Sequence, residues 1–343
     1  MARVGVVSYR LGGVDGVSVE AAKWVGALRA LGHEVATVAG EGTADHLVAG
    51  LSHRATGPVD ETALAASLED CDLVVVENLV SLPLNPRAVE ATYRALAGRA
   101  ALFRHHDLPW QRPEGEGAPP PRTGPRWRHV TINELSRAEL AARGVAATTL
   151  YNAFDLDPPL GERRATRERL GVGEEPLLLM PSRAIARKNV PGALALAEAL
   201  GATLWILGPA EDGYDETLEG LVAASAAPVR RGRPVGVGVA DAYAACDLVV
   251  VASTWEGFGN PVIESVAHRR ALAVHPYPVL AEITALGLAF LDLADVAAVA
   301  AELAAPDHAT REANLALARA HFDLADLPGR LAPLVGDLLA TSR

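Results

Sequence analysis

The sequence predicts an α/β protein of two domains, each wound around a mainly parallel sheet. Short β-branched runs alternate with alanine- and leucine-rich stretches from end to end, as in repeated strand-helix units. A chain of 343 residues holds two domains at roughly 100–200 residues each, and a single core of that size would be unusual. Finally, the hexapeptide Cys-Asp-Leu-Val-Val-Val occurs at 71–76 and again at 246–251. It is either a chance recurrence of common strand residues or the mark of two similarly wound halves.

In chain order, the first half places strands near Val4–Ser8, Glu34–Val38, Leu73–Glu77, Ala101–Arg104, Val130–Ile132 and Thr148–Leu150. Between the first two, Val17, Ala21, Trp24, Leu28 and Leu31 recur at four- and three-residue steps, giving a helix with one apolar stripe that Gly32 ends as a left-handed cap. The second half places strands near Leu177–Pro181, Thr203–Leu207, Leu248–Ala252 and Ala271–His275. The paired prolines of Asp155-Leu156-Asp157-Pro158-Pro159-Leu160-Gly161 stiffen a connector and prevent helix. The boundary is therefore expected there, with domains at 1–157 and 158–325. Pro113 to Pro125, rich in proline and glycine, is expected to be an exposed irregular loop, either a surface insertion or a lid.

The net charge of −11 gives no attraction to phosphate backbones or anionic lipid, so nucleic acid is a poor partner. No apolar run approaches the roughly 18 residues of a membrane span, and Met1–Arg10 does not read as a signal peptide, so a cytoplasmic protein is expected. Cys71 and Cys246 stand at strand entries without metal or redox spacing and read as small core residues. Lys23 and Lys188 are the two lysines beside 29 arginines.

Ligands of open α/β sheets bind beyond the carboxyl ends of the strands, and two such sheets facing each other make a cleft between domains. Leu11-Gly12-Gly13-Val14-Asp15-Gly16 follows the first strand. Its glycines allow close backbone approach to an anion, but the spacing is neither that of a dinucleotide site nor that of a P-loop. After the strand ending at Pro181, Arg183 and Lys188 stand five residues apart, with Asn189-Val190-Pro191 opening a helix. Two cations beside a helix N-terminus suit a diphosphate. The most specific stretch is Ser253-Thr254-Trp255-Glu256-Gly257-Phe258-Gly259-Asn260-Pro261-Val262-Ile263-Glu264, in which two carboxylates flank a glycine loop and Pro261 suits the first helical turn. Glu264, a turn inside the helix, can accept both hydroxyls of a ribose, and Glu256 can reach a second sugar.

With those residues, and with Gly32-His33-Glu34-Val35 and Asn152-Ala153-Phe154-Asp155, the chain resembles the retaining glycosyltransferases of family 4 over nearly its whole length. The resemblance implies a GT-B fold, two Rossmann-like domains facing each other across a cleft, with an acceptor-binding first domain and a second domain for a nucleotide sugar. It implies that residues 326–343 form a helix packing back on the first domain. By the same resemblance Glu264 binds the ribose, Glu256 lies against the transferred sugar, and Arg183 and Lys188 hold the diphosphate. Gly257, Phe258, Gly259 and Asn260 then lie near the sugar, and Gly12 and Gly13 near the phosphate and acceptor. The family's first-domain histidine falls on Arg104-His105-His106-Asp107, where His106 is favoured over His105. Two departures stand out: Ala267-His268-Arg269-Arg270-Ala271 replaces a cysteine-glycine pair and a proline, and Tyr277-Pro278-Val279-Leu280-Ala281-Glu282 replaces a glycine-rich turn, so the pocket near Tyr277 is expected to be reshaped.

The expected reaction moves a hexose from a UDP- or GDP-linked donor to an acceptor hydroxyl with retention, without a cofactor or metal. Asp155-Leu156-Asp157 is read as a turn at the domain crossing, not as an Asp-x-Asp metal motif. The arginines 104, 112, 122, 126 and 128 around the irregular loop permit a small anionic acceptor, although solvated arginines are the commoner explanation in a chain rich in arginine. Two rivals stand beside this reading: a nucleotide-sugar epimerase or hydrolase on the same fold, and a two-lobed binding protein without catalysis.

Overall fold

The computed structural model describes residues 1–13, 15–112 and 115–340, so Val14 of the glycine loop and Pro113 and Glu114 of the irregular loop lie outside the described residues. The chain divides into two compact units, Met1–Ala153 with Leu324–Arg343, and Phe154–Asp323.

The first unit carries β1 (Arg3–Leu11), β2 (Glu34–Gly42), β3 (His46–Leu47), β4 (Leu73–Glu77), β5 (Ala101–His105), β6 (Trp127–Thr131) and β7 (Ala147–Thr149). They form a parallel sheet in the order β3-β2-β1-β4-β5-β6-β7. Because strand side chains alternate, Val4, Val6, Leu73 and Val75 bury one face against Trp24 and Leu28, while Val7, Val74 and Val76 bury the other against Leu64, Leu68 and Leu96. Trp24 and Leu28 belong to helix Gly16–Ala30; Asp15 caps its start, and Gly32 at φ 82° turns the chain out of its end. Helix Leu327–Ala340 presents Leu327, Leu331, Val335 and Leu338 to the same cluster.

The second unit carries β8 (Leu177–Met180), β9 (Thr203–Ile206), β10 (Val229–Arg231), β11 (Leu248–Val251), β12 (Ala271–Val274) and β13 (Leu291–Asp292), parallel in the order β10-β9-β8-β11-β12-β13. The strands not foreseen, β3, β10 and β13, are two or three residues long and lie at or next to a sheet edge, where no long β-branched run is needed.

The repeated hexapeptide has one job in both sheets. Its aspartate exchanges two hydrogen bonds with the first residue of the central strand beside it. Asp72 donates its N–H to the carbonyl of Arg3, and its carboxylate accepts from the N–H of Arg3 at 2.8 Å. Asp247 does the same with Leu177, again at 2.8 Å to the carboxylate. The following Leu-Val-Val-Val run then pairs with β1 in one unit and β8 in the other.

The division between units falls at Ala153, ahead of the Asp155–Gly161 stretch expected to hold it. Phe154 already belongs to the second unit: its N–H donates to the carbonyl of Phe322 at 2.7 Å and its ring stacks on Phe258. No helix among the described residues is long and apolar enough to cross a membrane.

Candidate active site

In the second unit the winding reverses between β8 and β11, and the loops leaving the carboxyl ends of such a strand pair are where open α/β sheets bind ligands. The loop after β8 runs through a 3₁₀ turn, Ala186–Lys188, into helix Val190–Leu200. Asn189, at φ 50°, caps that helix by accepting from the N–H of Gly192 at 3.2 Å. The loop after β11 ends at Gly259, at φ 88°, which opens helix Asn260–Ala267.

These loops meet at Glu256. Its carboxylate is 6 % exposed as a residue, and Lys188 is buried to the same degree. Lys188 Nζ donates to Glu256 Oε1, while Arg187 Nη1 donates to Oε2 at 3.1 Å and to the carbonyl of Trp255 at 2.9 Å. Burial works to raise the Glu256 carboxyl, but Lys188 and Arg187 outweigh it and hold it below the ordinary range. Arg183 pairs with Glu211, on the loop after β9, at 2.5 Å, both half-exposed, and the loops after β8 and β9 are zipped by main-chain bonds between Ala184 and Pro209 and between Glu211 and Ala184.

Glu264 accepts from the hydroxyl of buried Tyr243 at 2.9 Å, and the Tyr243 ring stacks on His268, centroids 4.4 Å apart and nearly parallel. Burial, then the Glu264 charge, pushes the phenol well above its ordinary value, so it stays a donor. His268, at the departure from the family pattern, is pulled down to about 4 by burial and by Arg270. The second departure is visible at Tyr277, whose buried hydroxyl donates to the carbonyl of Phe258 at 3.1 Å. A Cβ on Gly259 would lie 2.1 Å from that hydroxyl oxygen, so the glycine is required by its backbone angle and by this phenol. Phe258 turns its side chain inward, stacked on Phe154 and edge-on to Phe322. Its ring is a core group; Gly257 and Asn260 flank the same turn.

The first unit holds a second polar constellation, at the carboxyl ends of β4 and β5. Arg104 is fully buried, its guanidinium donating to Glu20 at 3.1 Å, to Asn152 at 2.8 Å and to Glu77 at 3.4 Å, 4.4 Å from the Trp24 ring centroid. Lys23 Nζ donates to Glu20 and to the carbonyl of Ala153, both at 2.5 Å. His106 Nε2 lies 2.9 Å from Glu77 Oε2, and its N–H donates to Asn78 Oδ1 at 2.9 Å. Burial works to raise the Glu77 carboxyl, but Arg104 and His106 hold it below the ordinary range. The neighbouring His105 faces elsewhere, between Ser81 Oγ at 2.7 Å and His129 Nδ1 at 2.9 Å. Burial and His129 depress its pKa far below the ordinary histidine value, which makes it a neutral sheet residue.

A Cβ on Gly12, at φ 72°, would sit 2.7 Å from Thr43 Cβ, and one on Gly13 would sit 2.8 Å from the Asp15 carboxylate that caps the first helix. Packing within the first unit thus crowds both positions. Within the arginine cluster Arg104 is buried, Arg112 pairs with Asp107, Arg122 pairs with Glu90 over the Tyr93 ring, and Arg126 and Arg128 donate to carbonyls of Gly98 and Trp127.

Sequence reasoning missed Arg187, Glu211, Tyr243, Glu20 and Glu77. A signal existed for the last two, because each is a carboxylate set into an apolar stretch, beside Ala21 and Trp24 and at the end of Leu-Val-Val-Val.

No family model matches the chain. It is 24% identical to the mannosylglucosylglycerate synthase of Petrotoga mobilis over 80% of this chain and 83% of that one. It is also 24% identical to the protein of the same name from Thermotoga maritima, over 85% of each. Among solved structures, Anabaena HepE in complex with UDP and glucose superposes with a TM-score of 0.72 at 16% identity, covering 98% of this chain and all of that one. Sucrose-phosphate synthase from Thermosynechococcus elongatus gives 0.74 at 15% identity, covering 99% of this chain and all of that one. The fold is GT-B. The chain is a glycosyltransferase, similar to those of the family 4 type.

Proposed function

We propose that this protein transfers a hexose from a nucleoside-diphosphate sugar to a hydroxyl of a small acceptor with retention of anomeric configuration. The observation that carries the proposal is the constellation on the loops after β8 and β11: Arg183 and Lys188, then Glu256, the Gly257–Asn260 turn and Glu264, at the point where the winding of the sheet reverses. The UDP and glucose bound by HepE support a donor of this kind. Glu264, aimed by Tyr243, accepts the ribose hydroxyls, and Glu256 accepts hydroxyls of the transferred sugar.

In the reaction the bond between the anomeric carbon and the β-phosphate oxygen breaks through an oxocarbenium-like transition state. Charge grows on the leaving diphosphate, where Arg183 and Lys188 stabilise it. The acceptor oxygen bonds the anomeric carbon on the same face and its proton passes to the leaving diphosphate, so no protein nucleophile and no metal is needed. The first unit binds the acceptor, with His106 held in place there by Glu77. An anionic acceptor is favoured by the relatives, which are named for synthesis of mannosylglucosylglycerate, a carboxylate-bearing glycoside.

The test is a panel of UDP- and GDP-sugars with glycerate and glycosylglycerates as acceptors, in the presence of a chelator, with the product's anomeric configuration read by NMR. Expected are chelator-resistant turnover with retention, and its loss when Arg183 and Lys188 are both neutralised. An inverted product, or unchanged turnover in that double variant, overturns the proposal. Full-rate donor hydrolysis without any acceptor favours the hydrolase reading, and tight binding without turnover the binding-protein one.

A further inference from the structure

We infer that Arg187 is a positioning residue that holds Glu256 ionised and aimed, so that Lys188 is left to serve the diphosphate. The inference rests on the proposed donor site. A buried carboxylate is costly unless a cation and hydrogen bonds answer it, and Glu256 has two cations, one on each oxygen. They are not equivalent. Lys188 is a point charge with three donors on a flexible stem, suited to sharing itself between a carboxylate and a phosphate. Arg187 is fixed at both ends: one guanidinium nitrogen donates to Glu256 Oε2 and to the carbonyl of Trp255, while its own carbonyl accepts from the N–H of Thr254 at 2.9 Å and from its hydroxyl at 3.3 Å. Side chain and main chain of one residue thus staple the turn after β8 to residues 254–256 of the loop after β11.

The charge count points the same way. Arg183 is answered by Glu211, which leaves Arg187 and Lys188 against the single charge of Glu256. One positive charge is therefore in excess beside a buried carboxylate, which suits an anion. If Lys188 turns toward a phosphate, Arg187 still answers Glu256. The other groups facing Glu256 are Ser253, which hydrogen-bonds it, and Tyr277, a neutral phenol whose ionisation the Glu256 charge opposes. Neither replaces a lost cation.

The experiment compares the full chain with Arg187→Gln and Arg187→Lys. It measures kcat and KM from pH 5 to 9 with the donor found by the panel, and the Kd of UDP and of GDP by calorimetry. With Arg187→Gln, kcat falls about 10- to 100-fold, the scale of a displaced catalytic contact. The acid limb of kcat moves up by about one pH unit or more, because removing a nearby cation raises a carboxyl pKa. The nucleoside diphosphate Kd rises too, by less than kcat falls, because Glu256 without Arg187 competes with the diphosphate for Lys188 while Arg183 remains. Arg187→Lys restores the acid limb through its charge and recovers only part of kcat, lacking the planar fork; it carries the test if the glutamine variant fails to fold. An unmoved kcat and acid limb in Arg187→Gln overturn the inference, as does a loss that is entirely weaker nucleotide binding. Failure of the unaltered chain to bind either nucleotide overturns the donor site itself, and the inference with it.

Discussion

Replacing Arg104 by Met tests whether the buried charges of the first unit act as one structure. The guanidinium is fully buried and answers two carboxylates, Glu20 at 3.1 Å and Glu77 at 3.4 Å, together with the Asn152 side-chain carbonyl. Methionine fills much of the stem's volume, so the change is electrostatic more than steric. Glu20 keeps Lys23, but among the described residues the Glu77 carboxylate keeps only His106. Removing one partner of a buried ion pair costs about 3–5 kcal/mol. For a unit of this size each kcal/mol is worth about 2–4 °C, so the melting transition of the first unit falls by roughly 6–20 °C in calorimetry. The pH dependence has a definite sign. The folded-state pKa of Glu77 is depressed below its ordinary 4.5, so its contribution is fully present above that value and disappears as pH falls through the folded-state pKa. Without Arg104 that pKa rises, and the acid-side loss of stability begins at higher pH. Adding Glu77→Gln to Arg104→Met removes the unanswered charge and recovers part of the loss. A fall under about 2 °C, on that same size scale, or a double variant no better than the single one, would refute the reasoning.

Gly259→Ala sets a Cβ against the Tyr277 hydroxyl and places alanine at φ 88°. We expect a loss of about 1–2 kcal/mol from the backbone angle alone and weakened donor binding; pairing it with Tyr277→Phe recovers only the steric part, and full recovery in a melting and binding assay would contradict the conformational argument. Tyr243→Phe removes a hydrogen bond to a carboxylate, worth about 1.5–3 kcal/mol. Donor Kd should rise while kcat at saturating donor holds; an unchanged Kd removes Tyr243 from the ribose site. Asp72→Ala and Asp247→Ala each take away a carboxylate that accepts a strand N–H, exposed at Arg3 and half-buried at Leu177, at about 0.5–1.5 kcal/mol apiece, and each should lower only the transition of its own unit. A single shared shift would contradict their independence.

The α/β class, most strand positions and the loops that hold Arg183, Lys188, Glu256 and Glu264 were legible in the sequence, because alternating apolar runs set the strands and the loops that follow them. The helix stripe through Ala21, Trp24 and Leu28 was legible for the same reason, as each is buried. Partners were not. That Lys188 and Arg187 share one carboxylate, or that Tyr243 reaches Glu264, depends on side chains separated by 68, 69 and 21 residues. The arginines near the irregular loop read as one cluster in sequence, yet Arg104 lies buried at the end of β5 while Arg122 pairs at the surface with Glu90.

By itself the sequence determined what periodicity and residue chemistry determine: two mainly parallel sheets, a glycine turn opening a helix, and which side chains carry charge at strand ends. Tertiary structure alone decided which charges answer each other, that His105 is a neutral sheet residue while His106 meets Glu77, and that Gly12 serves packing against Thr43. The reason is physical. Local pattern is fixed by neighbours a few residues away, whereas the ionisation and aim of a buried group are set by whatever the folded chain brings within about 4 Å of it.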